Sequence, residues 1–299
     1  MPLPITSSAE ALQRAKNIAD QHGVISSADQ TCLFYRYWPP TGAASSSRVV
    51  IVLHGIGYYS GPYRVIADAL NPLGIGVYAM DARGHGLSCG KRSYVGTASQ
   101  VEEDVSAMVR MVRERQPSAE IILLGESMGG ALALNWAKDH DHEIAGLVLL
   151  APALGVSGDQ LYRWGNLCLL PYLLFARRYP AIDLAGKRLE ESSRLPSFIQ
   201  SRRSDPLAYQ KVSFGYLLDI HHMTSGWRSK IAPRVKTPML IIQGAEDRIV
   251  SKPYVAQFAK LSASPDKSLK IFPEVRHTTL WDPDTPKILK LISEWVLAH

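Results

Sequence analysis

Cysteine is scarce in this 299-residue chain, and that scarcity sets the first limits. The three residues, Cys32, Cys89 and Cys168, are far apart and include no C-x-x-C pair. An odd, scattered set predicts neither a disulfide framework nor a zinc site, so no metal is expected, and it favours a reducing compartment. Long apolar runs are also missing: no segment reaches the roughly 18 consecutive apolar residues that cross a bilayer. Residues 1–8 lack the basic start and apolar centre of a secretory leader. A cytoplasmic location is the expectation. Polybasic blocks are absent too, although the net charge is +6. Ten Lys and Arg against six Asp and Glu fall between residues 153 and 229, with no nucleic-acid motif beside them. No nucleic-acid partner is expected; the excess is read as solvated surface or as attraction toward an anionic lipid interface.

What is present is enough apolar material for a large core. Hydrophobic residues make up 46% of the chain and charged residues 20%, which argues against disorder. Apolar runs of strand length recur at Arg48–Leu53, Ile75–Met80, Ile121–Leu124 and Ile144–Leu150, and again at Met239–Gln243 and Leu269–Phe272. Thr31–Trp38, with Val24–Ser26, reads as an opening hairpin after a helix over Ala9–His22. Helical apolar spacing separates the later runs, at Tyr63–Leu70, Val101–Gln116, Tyr254–Leu261 and Pro286–Ala298. Strands alternating with helices predict an α/β class with a mostly parallel central sheet covered on both faces. The rhythm breaks after the sixth strand, where aromatics and Arg pairs replace strand-like runs. The division expected is therefore core 1–151, helical cap 152–228 and core 229–299.

One turn organises the rest. Ile121-Ile122-Leu123-Leu124 runs into Gly125-Glu126-Ser127-Met128-Gly129, and Gly130-Ala131-Leu132-Ala133 follows. This is G-x-S-x-G between a buried strand and a helix, the context a nucleophile elbow requires. A chance match in a loop would lack both flanks. The tight turn lifts the Ser127 hydroxyl clear of the sheet, and the helix aims its N–H groups at an anion formed there.

A serine needs a base, and the base needs an acid to hold its tautomer. In this arrangement the acid and then the histidine follow the serine, each on a loop after a strand. Asp247 is preferred to its neighbour Glu246 because Ile249-Val250 can anchor the turn it ends. His277 is the histidine left after that acid, apart from the terminal His299. Oxyanion donors are expected at the backbone N–H of Met128 and of Ile56, the latter in the His54-Gly55-Ile56-Gly57 bend. His54 is read as orienting that backbone.

Taken together these motifs resemble a known family. The set His54-Gly55-x-Gly57, Asp81-x-Arg83-Gly84-His85-Gly86-x-Ser88, Gly125-Glu126-Ser127-Met128-Gly129-Gly130 and Gly244-x-x-Asp247-x-Ile249-Val250 is similar to the α/β-hydrolases of the monoacylglycerol lipase and lysophospholipase group. The likeness runs from about Cys32 to the C-terminus. It implies the α/β-hydrolase fold and a serine carboxylester hydrolase, with the same residues in the same roles and no cofactor. This chain departs in two places. Gly57-Tyr58-Tyr59-Ser60-Gly61-Pro62-Tyr63 lacks the Glu, His and Arg that commonly face the glycerol end, and Arg276 replaces the usual Gly before the base.

The most apolar stretch, Leu161–Phe175, lies in the insertion and ends on Arg177-Arg178. It is read as lining the cap's own interface or as a lipid-facing lid, with Pro171 splitting it. Tyr58 and Tyr59 on one side, and Trp164 and Leu170 on the other, are the expected substrate contacts. The expected partner is a small ester with an apolar, medium- to long-chain acyl group, with peripheral membrane contact through the cap. Aryl, short-chain or polyester esterase and amide or peptide hydrolase chemistry use the same triad and stay open. So does a ligand-binding relative without turnover.

Overall fold

The computed structural model describes residues 3–41, 46–155, 179–180 and 182–299. Ten strands are described: β1 Gln21–Ser26, β2 Cys32–Trp38, β3 Arg48–Leu53, β4 Gly76–Met80, β5 Glu120–Glu126, β6 Gly146–Leu150, β7 Ile182–Asp183, β8 Lys211–Val212, β9 Met239–Gly244 and β10 Lys267–Phe272. Eight lie in one sheet, ordered β1-β2-β4-β3-β5-β6-β9-β10. The first two pairings, β1 with β2 and β2 with β4, are antiparallel, and the other five are parallel.

The apolar runs explain the two-sided burial. In β3, Val49, Ile51 and Leu53 enter one core and Val50 and Val52 the other; Ile121 and Leu123 of β5 separate from Ile122 and Leu124 in the same way. The helices α3 (Ala98–Arg115), α4 (Met128–His140) and α9 (Lys252–Leu261) cover the first face. The second is covered by α2 (Arg64–Leu70) and α10 (Thr285–Ala298). Each fully buried Ile or Leu removed from water is worth about 1.5–3 kcal/mol, so central strands without a polar face are the stable solution.

Several boundaries differ from the sequence reading, two of them for a clear local reason. Helix α1 is Ser8–Ala15 and stops well short of His22, because Gln21 and His22 pair with Tyr37 and Arg36 to begin β1. Helix α3 starts earlier than Val101, at Ala98, where Thr97 and Gln100 form a reciprocal capping box. Between β6 and β9 the described elements are α5 (Lys187–Ser192), α6 (Pro196–Ser204), α7 (Phe214–Thr224) and α8 (Trp227–Lys230), with β7 and β8 forming a two-residue antiparallel ladder. That ladder is in a region expected to be strand-free.

The cysteine reading needs correction. Cys32 and Cys89 are disulfide-bonded, with Cα atoms 5.1 Å apart and a sequence separation of 57. The start of β2 and the loop after β4 meet only once the sheet has formed, so spacing along the chain gave no signal. The expectation of a reducing compartment loses the support it drew from unpaired thiols. No helix among the described residues is long and apolar enough to cross a membrane.

The sheet order places the functional loops. The chain moves outward from β3 to β4, then returns to lay β5 on the other side of β3. Loops leaving the carboxyl ends of β3 and β5 therefore diverge around a crevice at this switch point, where open α/β sheets hold their ligands.

Candidate active site

Ser127 sits between β5 and α4 with φ 52° and ψ −109°. A non-glycine residue in that region costs about 1–3 kcal/mol and persists only when its surroundings enforce it. Here they do. A Cβ on Gly129 would run into the Leu53 carbonyl of β3, and one on Gly125 into the Gly129 backbone of α4. Strand, elbow and helix can approach this closely only with glycine at both positions. Ser127 N–H donates to the Leu150 carbonyl, and its own carbonyl accepts from Ala131 and Ala153.

The loops after β9 and β10 bring Asp247 and His277 to this hydroxyl. His277 Nε2 lies 2.9 Å from Ser127 Oγ, and His277 Nδ1 lies 2.8 Å from Asp247 Oδ2. Asp247 Oδ2 also accepts from Gln243 Nε2, while Oδ1 accepts from the Ile249 and Val250 N–H groups at 2.8 and 3.0 Å. Burial works against the Asp247 charge, but His277 and these donors outweigh it and hold the carboxyl below the ordinary value of 3.8. Burial also works against a charged His277; the Asp247 carboxylate overcomes it and raises the imidazole above 6.5. The fixed Nδ1 contact leaves Nε2 as the atom facing the serine.

On the other side, His54 clamps the bend after β3. Its Nδ1 contacts the Gly55 carbonyl at 2.8 Å, and its Nε2 accepts the Ala82 N–H at 3.0 Å, a pattern that makes Nδ1 the donor. Burial lowers its pKa, so it stays neutral. Asp81 adds a second tie, accepting from the Ser60 and Leu87 N–H groups. The Ile56 N–H is engaged by no hydrogen bond among the described residues. The Met128 N–H is in the first turn of α4, where helix donors lack intrahelical partners.

Three residues missed from the sequence complete the surroundings. Gly55 N–H donates to Tyr63 Oη at 2.8 Å, and Tyr63 O–H donates to Glu126 Oε2 at 2.5 Å. Burial pushes the Glu126 carboxyl up to about 7, against the opposing pull of Tyr63 and His277. Glu126 stands inside the G-x-S-x-G motif, yet nothing in the motif says which way it faces. Arg202 of α6 donates through Nη2 to the Gly57 and Tyr209 carbonyls at 2.7 and 2.8 Å, and its guanidinium lies 5.1 Å from the Tyr58 ring centre.

Two cavities open on Ser127. The larger, ≈ 150 Å³, is lined by His277, Thr278, Glu126, Tyr58, Tyr63, Phe198, Trp281 and Arg202, among others. The smaller, ≈ 110 Å³, is lined by Met128, Ala153, Leu217, Ile220, Ile249, Val250 and neighbouring residues. Tyr58 faces the first. Tyr59 lines neither; its hydroxyl instead donates to Asp205 Oδ2 at 2.9 Å. Trp164 and Leu170 lie outside the described residues.

The charged neighbours give a pH prediction. Glu126 helps to raise the His277 pKa, so Glu126→Gln removes a negative charge that favours imidazolium. The acid limb of kcat/KM reports the free enzyme's base. Its midpoint is expected above pH 6.5 in the wild type and at lower pH in Glu126→Gln. Parallel pH–rate profiles check this, and a limb that stays put or moves up would refute it.

The profile of the family described as "Serine aminopeptidase, S33" matches residues 44–284. Monoglyceride lipase of Homo sapiens is 32% identical over 253 residues, covering 84% of this chain and 81% of that protein. Monoacylglycerol lipase of Mycolicibacterium smegmatis is 25% identical, covering 89% and 93%. Among solved structures, a soluble variant of Saccharomyces cerevisiae monoglyceride lipase in complex with a substrate analogue superposes with a TM-score of 0.78 at 21% identity, covering 92% and 94%. Monoacylglycerol lipase of Paleococcus ferrophilus gives 0.74 at 24%, covering 89% and 99%.

Proposed function

From the premise that this chain belongs to the serine aminopeptidase, S33 family of α/β-hydrolases, we propose that it hydrolyses monoacylglycerol-like carboxylic esters through an acyl-enzyme on Ser127. The observation that carries the assignment of roles is the pair of hydrogen bonds in series, Ser127 to His277 at 2.9 Å and His277 to Asp247 at 2.8 Å. The monoglyceride lipases that match along most of their length support ester chemistry.

Each residue then has one task. Ser127 Oγ attacks the ester carbonyl carbon while His277 Nε2 takes the hydroxyl proton. The negative charge moves onto the carbonyl oxygen, where the N–H groups of Ile56 and Met128 receive it. The carbon–oxygen bond to the alcohol breaks, and His277 delivers its proton to the departing oxygen. Water attacks the acyl-enzyme, again losing a proton to His277, and the acid leaves with Ser127 restored. Asp247 stays ionised throughout, fixing the imidazole tautomer and stabilising its cation.

The two cavities suggest how the ester lies. His277 must reach the leaving oxygen and lines only the larger cavity, so the alcohol is assigned there. The smaller cavity, as apolar as the larger although His221 and Thr224 also line it, then receives the start of the acyl chain by elimination. Segment 152–228 is read as the cap over both. The run Leu161–Phe175 with Arg177-Arg178, including Trp164 and Leu170, lies outside the described residues; peripheral contact with a lipid surface is proposed for it from its sequence alone. Hydrolysis of monoacylglycerols of graded chain length, beside aryl acetates and aminoacyl anilides, tests the assignment. Highest kcat/KM on medium- to long-chain monoacylglycerols is expected. A sharp optimum at acetate would overturn the acyl assignment, and preferred cleavage of the anilides would overturn ester specificity.

A further inference from the structure

His277 rides on the loop between β10 and α10, a stretch with no helix or strand of its own. One side of that loop rests on the acid loop. The Glu246 N–H donates to the Val275 carbonyl at 3.0 Å, and a Cβ on Gly244 would run into the Val275 and Arg276 carbonyls. The other side meets the cap. Arg276 Nη1 donates to the Glu190 and Ser193 carbonyls at 2.7 and 2.9 Å. Thr278 donates to the Ser192 carbonyl twice, through its N–H at 2.9 Å and its hydroxyl at 2.8 Å. The two neighbours of His277 thus engage three carbonyls at the end of α5, where a helix leaves such groups without intrahelical partners.

A second tie joins the same two segments. Arg194 grips Asp282 with two hydrogen bonds, at 2.9 and 2.5 Å, and also donates to Glu274 at 2.7 Å and Asp284 at 2.9 Å. Glu274 precedes His277 and the two aspartates follow it, so one guanidinium draws together both arms of the loop. The Ser193 hydroxyl adds a bond to the Trp281 carbonyl at 2.6 Å. Arg276 is the residue that departs from the family resemblance, which has Gly before the base; glycine has no side chain to make this contact. Arg276 lines neither cavity on Ser127, so its contact is with the frame and not with substrate.

We propose that Arg276 is a positioning residue for the base: by tying the histidine loop to cap residues 190–193, it holds His277 Nε2 where it can take the Ser127 proton and reach the departing oxygen. The inference rests on the hydrolase reading above and adds a residue to it. Asp247 fixes one ring atom of His277, but the ring is placed only when the backbone that carries it is fixed as well. A displacement of about 1 Å in such a group can cost roughly a hundredfold in rate. The clamped segment also contributes Arg188, Leu189 and Ser192 to the larger cavity. Seating of the alcohol against that wall and placement of the base are therefore coupled.

The test compares the ethyl and p-nitrophenyl esters of one fatty acid in wild type, Arg276→Ala and Arg276→Lys. Nitrophenolate departs without a proton, whereas ethoxide needs the one that His277 delivers. The readout is the ratio of kcat/KM for ethyl over nitrophenyl ester within each protein, so a loss of active protein cancels. Arg276→Ala is expected to lower that ratio by about ten- to a hundredfold. Arg276→Lys keeps a charged donor and is expected to fall between; it carries the comparison should the alanine variant not fold. The acid limb of kcat/KM should move to lower pH in step, because His277 faces the Asp247 and Glu126 carboxyls and a displaced ring loses part of their pull. A ratio and limb unchanged from wild type, with or without a lower Tm, would overturn the positioning role. A ratio that falls while the limb stays would assign the effect to the cavity wall and overturn it too. Wild type that turns over neither ester would defeat the hydrolase reading itself.

Discussion

Ser127→Ala is expected to lower kcat on the best ester by about 10^5- to 10^6-fold, the scale at which removal of the nucleophile abolishes covalent catalysis in serine hydrolases. The size follows from the mechanism. Without Oγ there is no acyl-enzyme, and the oxyanion donors and bound substrate can promote only slow attack by water. Folding should survive: the strained φ of 52° at residue 127 is enforced by close approach of the Gly125 and Gly129 backbones, not by the hydroxyl. Alanine keeps the Ser127 N–H bond to Leu150 and the carbonyl bonds to Ala131 and Ala153. Steady-state kinetics beside thermal unfolding checks both halves. A variant that keeps more than about a hundredth of wild-type kcat would contradict the role given to Ser127, because binding and the oxyanion hole cannot supply that much.

Asp247→Asn is expected to cost about 10^3- to 10^4-fold in kcat with a smaller change in KM. The carboxylate accepts four hydrogen bonds, from His277 Nδ1, Gln243 and the Ile249 and Val250 N–H groups. An amide brings an NH2 group into a site built only from donors. If the amide oxygen stays with Ile249 and Val250, the NH2 faces Nδ1, forces that atom to accept, and moves the proton to Nε2. The nitrogen facing Ser127 would then be a donor and could not take the serine proton. The pH profile carries a second signature. His277 owes its raised pKa to the Asp247 charge, so the acid limb should fall toward lower pH in the variant. A loss under tenfold would mean that another group orients His277.

Much of this site was legible because its chemistry constrains order along the chain. A base must follow an acid that follows the elbow, each on a loop after a strand, and that rule selected Ser127, Asp247 and His277; the structure finds these side chains hydrogen-bonded in series. The parallel sheet was legible for a related reason, since strands buried on both faces must be continuously apolar. What escaped was contact between segments that sequence spacing does not couple. Glu126 could be quoted as part of a motif, but its partner Tyr63 is 63 positions away on another loop. Arg202 reaches Gly57 across 145 positions. Tyr58 and Tyr59 were equivalent in sequence; one lines the cavity, while the hydroxyl of the other binds Asp205. The Cys32–Cys89 bond was lost to the same cause, compounded by reading an odd, scattered cysteine set as evidence against a disulfide framework.

The claim on which everything else depends is that Ser127 becomes covalently acylated. Reaction with a fluorophosphonate followed by peptide mapping reads this directly, since the phosphonylated serine mimics the tetrahedral intermediate and does not turn over. The account predicts one adduct, on Ser127, absent in Ser127→Ala and formed much more slowly in Asp247→Asn. Protein that hydrolyses esters while leaving Ser127 unlabelled, or that carries the adduct on another residue, would contradict it.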